Sequence, residues 1–262
     1  VWALVWGSVV AELVLTISSY YYHSYKPRFT FSWERAKYLF NFGIWLLGSG
    51  ILSYLSLQAD NIFAGKFIGT SALGIYQMGY YIANLPTTEI SKQIGTVIQS
   101  GYAELQNSRK PIREFYSNTF IAIFSVILPI VLVLILLSYL LIPIILGENW
   151  LDLIPILPVR ALGCMFRAMG TSAVSLFKAT GLTKLVFYVE AFRSSSLIIG
   201  LAFCFYLDGG IVGVAWAYVI SAAVMLIVYL LFIETHYRVL GYIIKNIWPS
   251  MAAGVLMVLS II

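Results

Sequence analysis

The chain has 262 residues, of which 61% are hydrophobic and only 10% are charged. A soluble domain is nearer half apolar and a quarter charged, so this composition excludes a water-soluble enzyme, a disordered chain and a secreted disulfide scaffold. In so apolar a chain, the net charge of +5 indicates a membrane topology signal rather than a nucleic-acid surface, and no nucleic-acid partner is expected.

Eight segments are apolar enough to form a membrane-crossing helix, which needs about 20 residues. In chain order they are 2–22, 39–67, 72–105, 115–146, 151–179, 185–207, 211–233 and 247–262. The sequence therefore predicts an all-α, polytopic membrane helix bundle. Because the chain begins without an initiator methionine and ends inside an apolar stretch, we expect it to be a fragment of a longer protein.

Positive charge is concentrated in alternate loops. Eleven cations follow the first, third, fifth and seventh spans: Lys26, Arg28, Arg35, Lys37, Arg109, Lys110, Arg113, Lys178, Lys184, Arg238 and Lys245. The opposite side holds Lys66 and the acids Asp60, Glu148, Asp152 and Asp208. Lys and Arg mark cytoplasmic loops, so the first span is predicted to begin outside the membrane.

Apart from the charges assigned above to the two sides and Glu104 at a span end, seven ionisable residues fall within the predicted spans: Glu12, Glu89, Lys92, Arg160, Arg167, Glu190 and Arg193. A charge that faces lipid near the midplane costs roughly 2.5 to 3.5 kcal/mol on insertion scales. Seven such charges would cost ~20 kcal/mol, which exceeds the stability of a typical fold. We therefore expect these side chains to face a protein interior or a hydrated cavity.

Arg160 and Arg167 lie two helical turns apart on one face of the fifth span, about 10 Å apart along the helix. The planar guanidinium donates several hydrogen bonds to phosphate oxygens and keeps its charge. The spacing predicts a cationic ladder for an anionic substrate. The alternative is that each arginine pairs with a carboxylate of a neighbouring helix.

The third span combines Pro86 with Glu89 and Lys92, three residues apart. Proline removes a backbone donor and bends a membrane helix, and such bends accompany binding sites in transporters. We expect a helix kink at Pro86 and substrate-binding roles for Glu89 and Lys92. An intrahelical salt bridge is the alternative.

Glu190 and Arg193 repeat this spacing in the sixth span, where an intrahelical salt bridge is the simpler expectation. Arg193 is also a candidate substrate-binding residue. Glu12 has no charged neighbour within its span. Glu12 and Glu190 are candidate ion-coupling groups, since an intramembrane carboxylate either partners an ion or titrates.

No Walker loop, HExxH motif, dinucleotide fingerprint or nucleophile elbow is present in the sequence. The outer loops are too short for a catalytic domain, and the two cysteines lie in apolar runs without metal-ligand spacing. We expect a transporter with no catalytic residues, cofactor or metal. A membrane glycosyltransferase or polymerase and a non-transporting scaffold are the less favoured alternatives.

Several short motifs in the second and third spans are typical of one family. They are Asp60, Gly65-Lys66, Gly69, ALGIY at 72–76 and LPTTEI at 85–90, with looser agreement at FKATGLTK (177–184) and GIVGVAWA (210–217). The chain resembles the polysaccharide flippases of the multidrug/oligosaccharidyl-lipid/polysaccharide (MOP) exporter superfamily. A cation-coupled exporter of drugs or small molecules from the same superfamily is the alternative.

The resemblance implies a MOP/MATE-like architecture of two six-helix bundles followed by two further helices. Residues 1–22 would be the last helix of the N-terminal bundle, and 23–38 a cytoplasmic linker between bundles. Residues 39–233 would form the C-terminal six-helix bundle, and 234–262 a cytoplasmic loop with the first appended helix.

The resemblance also implies a multi-pass protein of the bacterial inner (plasma) membrane. It would flip an oligosaccharide linked to polyprenyl diphosphate by alternating access, for export of an exopolysaccharide or O-antigen type of polymer. Its partners would be this lipid-linked oligosaccharide, membrane lipid, and a polysaccharide polymerase or assembly machinery. Arg160, Arg167 and Lys92 would then contact the diphosphate and acidic sugars, although the resemblance does not fix these positions individually.

Overall fold

The computed structural model describes residues 2–22, 31–105 and 109–261, and every regular element in these ranges is helical. Eight helices have 21 residues or more: α1 (Trp2–Tyr22), α2 (Trp33–Phe63), α3 (Thr70–Leu105), α4 (Arg109–Leu136), α6 (Ile156–Ala179), α7 (Thr183–Tyr206), α8 (Gly210–Tyr237) and α9 (Leu240–Ile261). Three short elements connect them: a π-helical turn (Ala64–Ile68), α5 (Ser138–Ile145) and a 3₁₀ turn (Glu148–Leu153).

These helices confirm the predicted all-α membrane bundle. Five of them are long and apolar enough to cross a membrane, namely α2 with its π turn, α4, α7, α8 and α9. The remaining long helices, α1, α3 and α6, carry five of the seven charges that the sequence places within the membrane. The predicted linker 23–38 lies outside the described residues at 23–30, and α2 already begins within it at Trp33.

The fourth and fifth predicted spans have different limits in the structure. The helix that was expected over 115–146 is interrupted at Leu137, and the chain continues as the short α5. The Ser138 hydroxyl donates to the Ile135 carbonyl at this point, a local bond that competes with the helical ladder. The fifth helix begins at Ile156 rather than 151, because the 3₁₀ turn and Pro155 precede it.

The chain divides into two compact units, Val1–Asn41 and Phe42–Ile262. In the second unit α6 is the central helix and packs against α3, α4 and α8, while α7 packs on α8 and α9 on α4. Two apolar clusters form the core at opposite ends of these helices. One contains Ile123 and Leu197, and the other contains Leu176 and Ile233.

The α2 residues of the second unit have the polarity of a membrane helix, with apolar side chains outside and polar side chains inside. Ile51 and Leu55 are exposed, whereas Ser49, Ser56 and Asp60 are buried. A water-soluble helix would show the opposite arrangement. The exposed apolar face of α2 fits contact with lipid, and its buried polar face fits contact with a polar interior.

A buried ionic cluster joins four helices of this unit, and we call its five residues the Asp60 cluster: Asp60 of α2, Tyr76 and Tyr80 of α3, Arg160 of α6 and Tyr218 of α8. Arg160 Nη1 lies 3.1 Å from Asp60 Oδ2 and donates to Tyr76 Oη at 2.6 Å, and the Tyr76 hydroxyl donates to Asp60 Oδ2 at 2.7 Å. The Arg160 guanidinium carbon also lies 4.6, 4.8 and 3.9 Å from the ring centroids of Tyr76, Tyr80 and Tyr218.

This cluster gives Arg160 an acidic partner, Asp60, which the charge pattern of the sequence groups with the acids of the outer side. Asp60 instead lies inside α2, and both it and Arg160 are only 1% exposed. Asp60 is therefore a buried residue of a helix and not a solvated loop acid, since its carboxylate neutralises a guanidinium buried beside three aromatic rings.

Replacing Asp60 by Ala in the full-length protein should lower its stability by about 3 to 5 kcal/mol, because Arg160 would remain as an uncompensated buried charge. The double variant D60L/R160M should recover most of this loss, since an apolar pair of similar volume is often no less stable than a buried ion pair. Thermal unfolding in detergent compares the variants. A D60A protein as stable as its parent would contradict a structural role for the pair.

Gly163 of α6 provides the space for the Tyr218 ring, because a Cβ at this position would lie 2.6 Å from Tyr218 Cδ1. We expect G163A to displace Tyr218 from Arg160 and to cost about 1 to 3 kcal/mol, as overpacked cores do. Gly43 of α2 is a matched control, since a Cβ there meets no atom within 4 Å. Equal unfolding temperatures for G163A and G43A would show that the position next to the Tyr218 ring tolerates a larger side chain, which would contradict this account.

Candidate functional site

A cavity of about 600 Å³ lies among five helices of the second unit. Its walls come from α2, α3, α6, α7 and α8, and every wall contributes at least one polar side chain. The polar residues that line it are Ser49, Ser53, Asn84, Thr87, Ser91, Gln99, Arg167, Thr171, Ser175, Lys178, Glu190, Arg193 and Tyr229. A cavity of this size is typical of a small-molecule or head-group site.

Arg167 is a cation of this cavity and has no acidic partner among the described residues, as is also true of Lys178. Its Nη1 is buried and makes no hydrogen bond within the part of the chain that the structure describes, and Tyr80 and Tyr218 are close to the guanidinium. A guanidinium in this position has donors to offer to a ligand in the cavity.

Glu190 and Arg193 form a second charged group in the cavity. Arg193 donates to Glu190 Oε1 through Nη2 and through Nε, the latter at 3.1 Å, which confirms the expected intrahelical salt bridge. Both residues are buried, and they line the cavity near Tyr229 of α8. The pair is electrically neutral as a unit but retains donors and acceptors that can contact a polar ligand.

Two neutral side chains add unused hydrogen-bonding groups to the same walls. Ser91 is 3% exposed and Tyr229 is 0% exposed, and neither hydroxyl bonds to another described residue. Buried polar atoms without a partner are uncommon in native proteins, so these two hydroxyls are groups that a ligand, water or ion can satisfy. Together with Arg167, these hydroxyls give the cavity three groups with unused hydrogen-bonding capacity.

The other predicted site residues do not share this cavity in the described structure. Arg160 belongs to the Asp60 cluster, and Glu89 is exposed on α3. The Lys92 side chain lies outside the described residues. Glu12 is exposed on α1, in a depression formed with four neighbouring residues of its own helix. The helix continues through Pro86, and the predicted kink stays a prediction.

Several cavity residues were not predicted as site residues. Lys178 was counted only as a cytoplasmic charge beside the turn after the fifth span, and it lines the cavity from the last turn of α6. Tyr229 and Ser91 carry no charge, so the cost argument that selected the ionisable residues did not extend to them. Serines on one face of α2, at positions 49, 53 and 56, are the sequence pattern that could have indicated a polar wall.

The described lining residues of the cavity carry three cations, Arg167, Lys178 and Arg193, against one acid, Glu190. This excess of positive charge favours an anionic ligand, and the serine, threonine, asparagine and glutamine side chains suit a ligand rich in hydroxyl groups.

Comparison with known proteins relates the chain to proteins of bacterial polysaccharide pathways. It is 31% identical over 205 residues to the teichuronic acid biosynthesis protein TuaB of Bacillus subtilis (strain 168), which covers 78% of this chain and 42% of TuaB. It is 24% identical over 190 residues to the lipopolysaccharide biosynthesis protein WzxC of Escherichia coli (strain K12), a match that covers 72% of this chain and 39% of WzxC. It is 26% identical over 194 residues to a putative O-antigen transporter of Shigella flexneri, a match that covers 70% of this chain and 44% of that transporter.

The chain thus spans about two fifths of the length of these curated relatives. No solved structure matches it significantly. Its apolar helices and its bacterial relatives make it a multi-pass protein of the bacterial inner membrane. Residues 1–155 match the family described as polysaccharide biosynthesis protein, a match that includes Asp60 and Tyr76 and ends before α6. The chain therefore belongs to this family of polysaccharide biosynthesis proteins.

Proposed function

We propose that the full-length protein is a flippase that moves a lipid-linked oligosaccharide, carried on polyprenyl diphosphate, from the inner to the outer leaflet by alternating access. The cavity would hold the polar head while the lipid tail stays in the bilayer. The observation that carries this proposal is the Arg167 guanidinium, which has no acidic partner and an unbonded Nη1 within the described residues, in a cavity with buried, unbonded Ser91 and Tyr229 hydroxyls. The names of the relatives, which refer to polysaccharide biosynthesis and transport, support it.

The charge of the cavity favours this function over the related one of a cation-coupled drug exporter. A cationic drug would meet three cations and one acid among the described lining residues, and that acid is already paired with Arg193. A diphosphate would instead find the unbonded Nη1 donor of Arg167, and sugar hydroxyls would find the serine and threonine side chains. The substrate-binding residues of this proposal are Arg167 and Arg193, with Lys178 at the mouth of the cavity.

Transport of such a head group requires a wet path, because an anion in hydrocarbon is strongly disfavoured. The membrane potential favours outward movement of an anion by about 2.3 kcal/mol per charge per 100 mV, and it supplies part of the drive. Ion exchange at a carboxylate would supply the rest. A polysaccharide polymerase or assembly machinery would receive the flipped product. In this proposal the protein is not an enzyme, since translocation breaks no covalent bond.

Arg167→Ala in the full-length protein should lower polysaccharide export by about tenfold or more, because one charge-assisted contact to phosphate is worth ~1.5 to 3 kcal/mol. Membrane abundance should be unchanged, since Arg167 neutralises no described acid. Export and abundance are measured together in a strain that lacks the native gene. Lys245→Ala, which removes an exposed cation of α9, is the control and should export normally. Normal export by R167A would contradict the proposal.

Glu190 and Glu12 are the candidate coupling carboxylates, and their settings differ, since Glu190 lines the cavity and Glu12 is exposed on α1. We expect export by E190Q to become insensitive to collapse of the proton gradient, because an amide cannot exchange a proton. E12Q should keep the dependence of the parent protein. The measurement is export with and without an ionophore that abolishes the pH difference. The reverse pattern would assign coupling to Glu12, and two unchanged profiles would remove both residues from that role.

A further inference from the structure

The cavity and the Asp60 cluster lie end to end along the same helices. On α6 the cavity is lined from Cys164 to Lys178, and Arg160 is one turn before Cys164. On α3 it is lined from Asn84 to Gln99, and Tyr80 is again one turn before. A helix advances about 1.5 Å per residue, so the cluster begins about 6 Å beyond the last lining residue of both helices.

The other two helices of the cluster repeat this order. On α8 the lining residues Met225 and Tyr229 follow Tyr218 by seven residues or more, which is about 10 Å of helix. On α2, which runs in the opposite direction, the lining ends at Ser53 and Asp60 follows seven residues later. The cluster therefore closes one end of the cavity from four sides.

The opposite end of the cavity reaches the turn between α6 and α7. Lys178 in the last turn of α6 and Val186 in the first turn of α7 both line it. The cations of this turn, Lys178 and Lys184, assign it to the cytoplasmic side by the positive-inside rule. The cavity thus extends towards the cytoplasm, and the Asp60 cluster lies on the outer side.

The α2 segment is held to the bundle mainly by side chains. Its backbone makes few close approaches to other helices within the described ranges, whereas α6 packs along the full length of its neighbours. Beyond Asp60, the Ser56 hydroxyl lies 2.6 Å from the Ser194 hydroxyl of α7, and Ala59 and Phe63 pack on the edge of the core. Ring contacts join Trp45 to Phe187, Tyr188 and Lys184, and Phe63 to Phe205. A helix attached by a limited set of side-chain contacts can separate while the helices around α6 stay packed.

We propose that the Asp60 cluster, together with the Ser56–Ser194 contact, is the closed outer gate of this cavity, and that α2 is the helix that moves when the gate opens. This inference rests on the proposed transport function and assigns a state to the structure, with the cavity open to the cytoplasm. Opening would separate Asp60 from Arg160 and Tyr76 and would connect the cavity to the outer side. Water entering between the helices would then solvate both charges, which removes the need for their direct contact.

The Ser56–Ser194 contact provides a direct test in the full-length protein, with its native cysteines replaced. In S56C/S194C the two side chains are close enough for a disulfide between α2 and α7. Oxidation should fix the outer gate shut and abolish polysaccharide export, and a reductant should restore it. S125C/S250C is the matched control, since these serines join α4 to α9 away from the cavity. Its oxidised form should export at the level of its reduced form.

Complete cross-linking of S56C/S194C with normal export would overturn the gate, and the transport function would stand. Loss of export in both oxidised pairs would also overturn it, because the effect would not be specific to α2. If the reduced protein does not support export at all, the proposed function fails. The gate proposal is then tested by an assay that needs no substrate.

That assay uses a cysteine introduced at Thr171, a half-buried residue of α6 that lines the cavity, because the native Cys164 is itself buried. In a protein with T171C as its sole cysteine, a membrane-impermeant maleimide should label it from the cytoplasmic side and not from outside. D60N or the milder Y76F should increase labelling from outside by about tenfold or more, as a weakened gate shifts the population towards the open state. Outside labelling that neither variant changes would show that the cluster does not close the cavity.

Discussion

Charged and polar groups inside a membrane must be neutralised or hydrated, and this constraint organises the whole chain. The helices keep apolar side chains outside and turn their polar side chains inward, as α2 does with exposed Ile51 and buried Asp60. Inside the bundle the constraint is met in two ways. Arg160 receives a carboxylate, a tyrosine hydroxyl and three aromatic faces, whereas Arg167 lies in a cavity with no acidic partner among the described residues.

These two arginines therefore have different roles although they share one helix face. Buried pairs such as Asp60–Arg160 add little net stability, but a buried charge that loses its partner is costly, so the two residues stay together for as long as water is excluded from them. A guanidinium without an acidic partner in a polar cavity behaves differently, because binding of an anionic ligand is what stabilises its charge. A transporter requires both properties, one to seal a path and one to select what enters it. The proposed flippase would use Arg160 for the first and Arg167 for the second.

The sequence was sufficient for the helical architecture, because hydropathy and the pattern of Lys and Arg depend only on local composition. It also predicted the Glu190–Arg193 bridge, since three-residue spacing on a helix sets that distance. It did not predict the partner of Arg160, because Asp60 is 100 residues away and the pairing depends on how α2 packs against α6. Tyr229 and Ser91 were missed for a related reason, since only tertiary structure reveals a buried hydroxyl without a partner.

The most direct measurement of this account is a structure of the full-length protein in a lipid bilayer with a polyprenyl diphosphate-linked sugar bound. The account predicts the phosphates within hydrogen-bond distance of the Arg167 guanidinium, with the sugar between the serine-lined face of α2 and Tyr229. A substrate bound elsewhere on the protein, with the cavity around Arg167 holding only water, would contradict it.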